Sequence, residues 1–209
     1  MTAATTIRAD TTQRHLAKYS NRNPLHRLAL GHFLDRVAQE IRRIAPRSVL
    51  EFGCGEGLLL QALETRGVRL QDYTGIDLRA DAIAAARLLH PQRRFERADL
   101  FDWPGVPGGY DLVIASQVLE HLPEPGPALE CLTGFTARWL LLTVPDEPWF
   151  RLLNLLRGRD LRRLGNHPEH VNLWSLASFR SFVGQRADIA RSYRAFPFSV
   201  VVARPRPRG

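Results

Sequence analysis

The chain has 209 residues, 44% of them apolar and 24% charged. This is the balance of a soluble globular domain, and one domain of this length buries roughly 70% of its unfolded surface. No run approaches the ~18 apolar residues of a membrane span, and the two cysteines, Cys54 and Cys131, exclude a disulfide scaffold or a cysteine-based zinc site. The polar start MTAATTIRADTTQRH lacks the apolar core of an export signal, so a cytoplasmic location is expected. The net charge of +8 comes almost wholly from arginine, Lys18 being the single lysine. The arginines are scattered, with one dense stretch from Arg151 to Arg163, and an arginine bias beside abundant Ala, Leu and Pro reflects coding composition as much as anion binding.

In chain order, residues 1–23 read as a flexible N-terminal arm. Residues 24–204 read as a single domain and 205–209 as a tail. Leu28, Phe33, Leu34, Val37, Ala38 and Ile41 recur at helical spacing, predicting a helix over 24–45 that Pro46 stops. Short apolar runs then alternate with helical patterns. Strands are expected from Ser48, Tyr73, Arg94, Tyr110 and Trp139, and helices over Gly57–Arg66, Ala80–Leu89 and Pro127–Thr136. Strands alternating with helices imply an α/β, doubly wound sheet with helices on both faces. Residues 145–174 read as an insertion. A helix over Ser175–Gln185 follows, and two β-patterned runs, Asp188–Ala195 and Phe198–Ala203, flank the Pro197 break as a closing antiparallel pair.

The sharpest local pattern is Val49-Leu-Glu-Phe-Gly-Cys-Gly-Glu-Gly57. A strand runs into Gly53-x-Gly55-x-Gly57 and a helix leaves, so backbone can approach a ligand and a helix N-terminus offers free N–H groups. The dinucleotide fingerprint G-x-G-x-x-G would need glycine where Leu58 stands, which argues against a nicotinamide oxidoreductase. Asp77, in Gly75-Ile-Asp77-Leu78, ends the second strand 20 residues past Gly57, where a carboxylate can accept both hydroxyls of a ribose. Asp99 and Leu100 end the third strand, and Ser116 and Gln117 the fourth.

With these residues the sequence resembles the class I S-adenosylmethionine-dependent methyltransferases. VLEFGCGEG at 49–57, GIDL at 75–78, RADLFDW at 97–103, YDLVIASQVLEHLPEP at 110–125 and LLLTVP at 140–145 carry the resemblance, which spans about 45–205. It implies a Rossmann-like sheet of seven strands with an antiparallel C-terminal pair. It also implies S-adenosyl-L-methionine as cofactor and S-adenosyl-L-homocysteine as product. Glu51 and the Gly53-Cys54-Gly55 backbone would hold the methionine moiety, Asp77 and Leu78 the ribose side, Asp99 and Leu100 the adenine, and Ser116 and Gln117 the methyl-bearing end.

His121 and His170 follow the fourth and fifth strands, where imidazoles near the methyl group can serve as general base for a protonated acceptor. Some relatives bind a divalent metal through E-x-x-E-H after strand four. Here the pattern is Gln117-x-x-Glu120-His121, an amide at the first position, which argues against a metal. The chain lacks the Asn/Asp-Pro-Pro-aromatic loop and the Pro-Cys nucleophile of base-modifying relatives, and an appended RNA-binding module. A small-molecule acceptor is therefore expected rather than nucleic acid, with O-methylation of an amphiphilic or lipid-linked metabolite as the preferred chemistry. Two other readings stand beside it: a nucleic-acid methyltransferase using the arginines, and a non-catalytic S-adenosylmethionine-binding protein. Trp149, Leu152, Leu153 and Leu156 form one apolar face within 149–164, a candidate lid with peripheral lipid contact through its arginines. Tyr19 could close the opposite side.

Overall fold

The computed structural model describes residues 24–146 and 171–206. The arm with Tyr19, the 149–164 segment, His170 and residues 207–209 lie outside the described residues.

Helix α1 (Pro24–Ile44) precedes β1 (Ser48–Phe52), α2 (Leu58–Thr65), β2 (Asp72–Asp77), α3 (Ala80–Leu89), β3 (Arg94–Arg97) and β4 (Tyr110–Ser116). A 3₁₀ turn at Leu119–His121, α4 (Pro125–Phe135), β5 (Thr136–Pro145), α5 (Leu176–Gly184), β6 (Ala187–Ala195) and β7 (Phe198–Pro205) complete the described chain. The strands form one sheet in the order β3-β2-β1-β4-β5-β7-β6. Strands β3 to β5 run parallel, and β7 is antiparallel to both β5 and β6. From β1 the chain winds to β2 and β3 on one side, then returns to place β4 on the other. The carboxyl ends of β1 and β4 therefore flank a topological switch point, the crevice where such sheets take ligands.

Burial explains the apolar runs. Val49, Leu50, Leu112 to Ala115 and Leu140 to Leu142 are buried on both sheet faces, as parallel strands covered by helices must be. One core cluster joins α1, α2 and α3 to the sheet through residues such as Val37, Ile41, Leu60 and Ile83. The other packs α4 and α5 on the opposite face through Leu129, Leu132, Phe179 and Val183. Phe33 on α1 meets Phe198 at the start of β7 with ring centroids 4.6 Å apart, which holds α1 across the carboxyl edge of the sheet.

Some boundaries move from those predicted. Strand β5 begins at Thr136 rather than Trp139, because Thr136 Oγ1 closes the helix-to-strand turn by donating to Trp139 O and accepting from its N–H. Strand β7 extends two residues past Ala203 to Pro205, pairing with β6 where a loose tail was expected from the arginine–proline repeat. The Arg206 side chain beyond it donates to the carbonyls of Gly184 and Gln185. Helix α5 starts from Ser175, whose Oγ accepts the Ser178 N–H while Ser178 Oγ accepts the Ser175 N–H, a reciprocal cap.

Candidate active site

The glycine turn after β1 is built from backbone conformations that side chains resist. Gly53, Gly55 and Gly57 all have positive φ, between 55° and 77°. A Cβ at Gly53 would stand 2.4 Å from Val118 Cγ2, so this glycine also lets the segment after β4 press against the turn. The Gly53 and Cys54 amides donate to Ile76 O at 2.8 and 3.1 Å, tying the turn to the end of β2. Buried His90 supports the far side, its Nε2–H donating to Gly57 O at 3.0 Å.

Asp77 joins the two strand ends. Its Oδ2 accepts the Gly55 N–H and its Oδ1 the Arg79 N–H, both at 2.9 Å. Arg79 also lays its guanidinium between Asp77 Oδ1, at 3.5 Å, and Glu56 Oε1, at 3.2 Å. A carboxylate has about four acceptor positions; two backbone amides and one arginine leave it capacity for a further donor. Glu51, at the end of β1, is wholly buried and accepts the Tyr73 hydroxyl proton at 2.6 Å. Burial raises its pKa from the usual carboxylate range to about 8, the phenol hydrogen bond opposing and the Asp77 charge adding to the rise. The same burial, with Glu51 and Asp77 nearby, pushes the Cys54 thiol far up. The Cys131 thiol rises as well, first from burial and then from Glu130. Neither cysteine is a thiolate nucleophile at neutral pH.

A small cleft, open to solvent, lies over this turn. Glu51, Gly53, Cys54 and Gly55 line it from the β1 side, Ser116 and Gln117 from β4, and Leu30 and Phe33 of α1 from above. Ser116 and Thr143 share a 2.9 Å hydroxyl contact, and Gln117 Nε2 donates to Thr143 Oγ1 at 3.2 Å. Gln117 adopts a left-handed φ of 61°, and its buried Oε1 has no hydrogen-bond partner among the described residues. The wall of the cleft therefore offers an acceptor to a ligand donor.

The cleft brings together six of the residues expected there: Glu51, Gly53, Cys54, Gly55, Ser116 and Gln117. Asp77 reaches it through Gly55, and Gly57 packs on His90 behind it. Leu78 is exposed beside the β2 end. Asp99 folds into its own turn, accepting the Phe101 N–H at 3.0 Å, while Leu100 lines a second groove with Phe101 and Trp103. His121 ends the 3₁₀ turn, its Nε2 3.9 Å from Glu120 Oε1. This turn is clamped by the chain after the insertion. Val171 and Asn172 N–H groups donate to Glu120 O at 2.9 and 3.1 Å, and Asn172 Nδ2 reaches Leu119 O at 3.3 Å and Leu122 O at 2.6 Å. Among the described residues no three His, Cys, Asp or Glu side chains converge as a metal set.

Sequence reasoning missed Tyr73, Arg79, Thr143 and Asn172. Only Tyr73 had a readable trace. Glu51 pairs with Gly75 and Tyr73 stands two residues earlier on β2, so both side chains share one sheet face.

This sheet order, with β7 inserted antiparallel beside β5 and a ligand crevice at the β1/β4 switch point, is the class I S-adenosylmethionine-dependent methyltransferase fold. A methyltransferase-domain family model matches residues 20–188, and the chain belongs to that family. Among its relatives is a ubiquinone biosynthesis O-methyltransferase of Sodalis glossinidius, 31% identical over 44% of this chain and 38% of its own. That of Azotobacter vinelandii is 32% identical over 67% of each chain. The chain spans about half the length of the first several curated relatives it matches. Among solved structures, magnesium protoporphyrin IX methyltransferase from Synechocystis PCC 6803 with bound SAH superposes with a TM-score of 0.70 at 20% identity, covering 95% of this chain and 94% of that one. The plantazolicin methyltransferase BpumL, in complex with a desmethyl plantazolicin analogue and SAH, gives 0.69 at 15% identity, over 98% and 91%.

Proposed function

We propose that the protein transfers a methyl group from S-adenosylmethionine to a small-molecule hydroxyl on an amphiphilic or lipid-linked metabolite. The observation that carries this reading is Asp77, held at the end of β2 by the Gly55 and Arg79 amides, beside a glycine turn that Gly53 lets close against Val118. The donor set fits the cofactor: Asp77, with one acceptor position open, for a ribose hydroxyl, Glu51 for a cationic amino group, the glycine-turn backbone for the carboxylate end, and the open Gln117 Oε1 for a further donor. Leu100, beside Asp99, would border the adenine. S-adenosylmethionine, when bound, supplies a methyl carbon already activated by its sulfonium.

The protein's part is then orientation, which for well-aligned partners is worth roughly 7–11 kcal/mol. His121 accepts the acceptor hydroxyl's proton, with His170 as the second candidate base. Relatives named for ubiquinone biosynthesis support an oxygen acceptor on a lipid-soluble ring. Peripheral lipid contact through 149–164 belongs to the same reading. Among the described residues no helix is long and apolar enough to cross a membrane.

The direct experiment incubates the protein with methyl-labelled S-adenosylmethionine and cell extract, then separates lipid, water-soluble, protein and nucleic-acid fractions. Label in the lipid fraction is expected. Label confined to RNA or DNA, in a salt-sensitive reaction, would replace this reading with phosphate binding by the arginines.

A further inference from the structure

Glu51 is an unusual receptor for a cation, because among the described residues the groups that act on it include no positive charge. It lines the cleft, yet its hydrogen-bond partner is a phenol, Tyr73 at 2.6 Å, buried with it between β1 and β2. The other titratable groups around it are acidic or neutral on the cleft side: Cys54 and Glu56 in the glycine turn and Asp77 at the end of β2. Arg79 sits on Asp77 and Glu56, and Arg93 acts on Tyr73 from the other side. Helix α1 presents Leu30 and Phe33 to the cleft, β4 presents Ser116 and Gln117, and β7 presents Phe198, none of them charged. An isolated carboxylate in such surroundings is costly, and the group neutralises by keeping its proton.

We propose that Glu51 and Tyr73 form a proton-exchanging receptor for the amino end of the cofactor. Glu51 holds a proton in the free protein and surrenders it to solvent when the α-ammonium group enters. The Glu51 O–H bond breaks, the proton passes to buffer, and the resulting carboxylate pairs with the ammonium while Tyr73 keeps its hydrogen bond to Oε2. This rests on the cofactor assignment above and deepens it. Two consequences follow. Cofactor affinity rises with pH through the acidic and neutral range, and a nucleoside ligand without the amino group gains nothing from that rise.

The Glu51 pKa of about 8 sets the size of the effect. At pH 7 about 0.9 proton is released per ligand bound, and affinity rises about 30-fold between pH 5.5 and 7. Stability of the free protein runs the opposite way. The folded pKa lies above the unfolded value of 4.5, so the contribution is complete below about 4.5 and is lost as pH climbs towards 8.

The test is calorimetric titration of the wild-type protein with S-adenosylhomocysteine, whose amino group is protonated in this range, in buffers of different ionisation enthalpy. 5′-Methylthioadenosine, which lacks the amino group, is the control. Near-stoichiometric proton release with the first ligand and none with the second is expected. Glu51→Gln abolishes the release and flattens affinity against pH. Tyr73→Phe, which removes the bond that holds the carboxyl pKa down, moves the rise to higher pH. S-adenosylhomocysteine binding without proton release, or release that persists in Glu51→Gln, overturns the proton exchange and leaves the cofactor assignment standing. Failure of the wild-type protein to bind either S-adenosylmethionine or S-adenosylhomocysteine takes down both.

Discussion

The two banks of the cleft are made differently. On the β1/β2 bank, positions are set by backbone: glycines with positive φ, amides on Asp77, carbonyls of Ile76 and Gly57. On the β4 bank, a short 3₁₀ turn is held by chain that returns from far along the sequence, through Val171 and Asn172. The first bank is local, set within one turn and the strand end beside it. The second is assembled from distant pieces, and its shape follows from how those pieces are anchored.

The largest effect is expected at Asp77. Asp77→Ala removes the proposed ribose acceptor and the anchor of Gly55 together. With charge-assisted bonds worth about 1.5–3 kcal/mol each, cofactor affinity should fall by about a hundredfold or more. Equilibrium dialysis with labelled S-adenosylmethionine checks it, and unchanged affinity removes the ribose assignment.

Asp146 is the corresponding point on the other bank. It is buried, accepts the Leu176 N–H at 3.2 Å and pairs with Arg194 at 2.6 Å. Asp146→Ala should cost about 1–2 kcal/mol in urea unfolding, mainly because it removes the acceptor of the Leu176 amide, the Arg194 partner being half exposed. Cofactor affinity should change little beyond what lost stability explains.

Gly53 tests whether the banks are coupled. Gly53→Ala strains a left-handed φ and drives a methyl into Val118, and should destabilise by about 2 kcal/mol. Adding Val118→Ala should restore part of this loss, a coupling that a double-mutant cycle measures. Full additivity would mean that the turn does not feel the β4 bank.

The smallest effect expected is on Asn172. Asn172→Ala removes the side-chain donor from Leu122 O and one of the two donors to Leu119 O, for about 1 kcal/mol of stability. If the clamp positions His121, kcat falls several-fold with cofactor affinity unchanged. Equal kcat would assign Asn172 to folding alone.

The β1/β2 bank was legible in the sequence for a physical reason. Gly53, Gly55 and Gly57 are required by φ angles within one turn, and Asp77 closes the short β-patterned run from Tyr73 that follows it. The sheet was legible too, since the apolar stretches of β1, β4 and β5 alternate with helical patterns, which leaves few topologies. The β7 extension to Pro205 was obscured because arginine and proline carry no strand signal, and the pairing comes from β6 beside them. The Tyr73–Glu51 contact becomes readable only once β1 and β2 stand side by side, because the two residues sit on different strands. Thr143 and Asn172 were invisible for the same reason: each acts on residues 26 or more positions away. His170, outside the described residues, stays with the proposal.

Asp146 has one more consequence. It fastens the chain at the point where β5 ends, and through Leu176 it fastens the point where the chain comes back. The two ends of everything between are thus neighbours on a rigid frame. For a segment with its ends already together, each doubling of length costs only about 0.6 kcal/mol of closure entropy. That makes the intervening stretch a cassette. A protein engineer exchanging it would cut after Asp146 and rejoin before Val171, so that the Val171–Asn172 clamp and the Ser175 cap are kept.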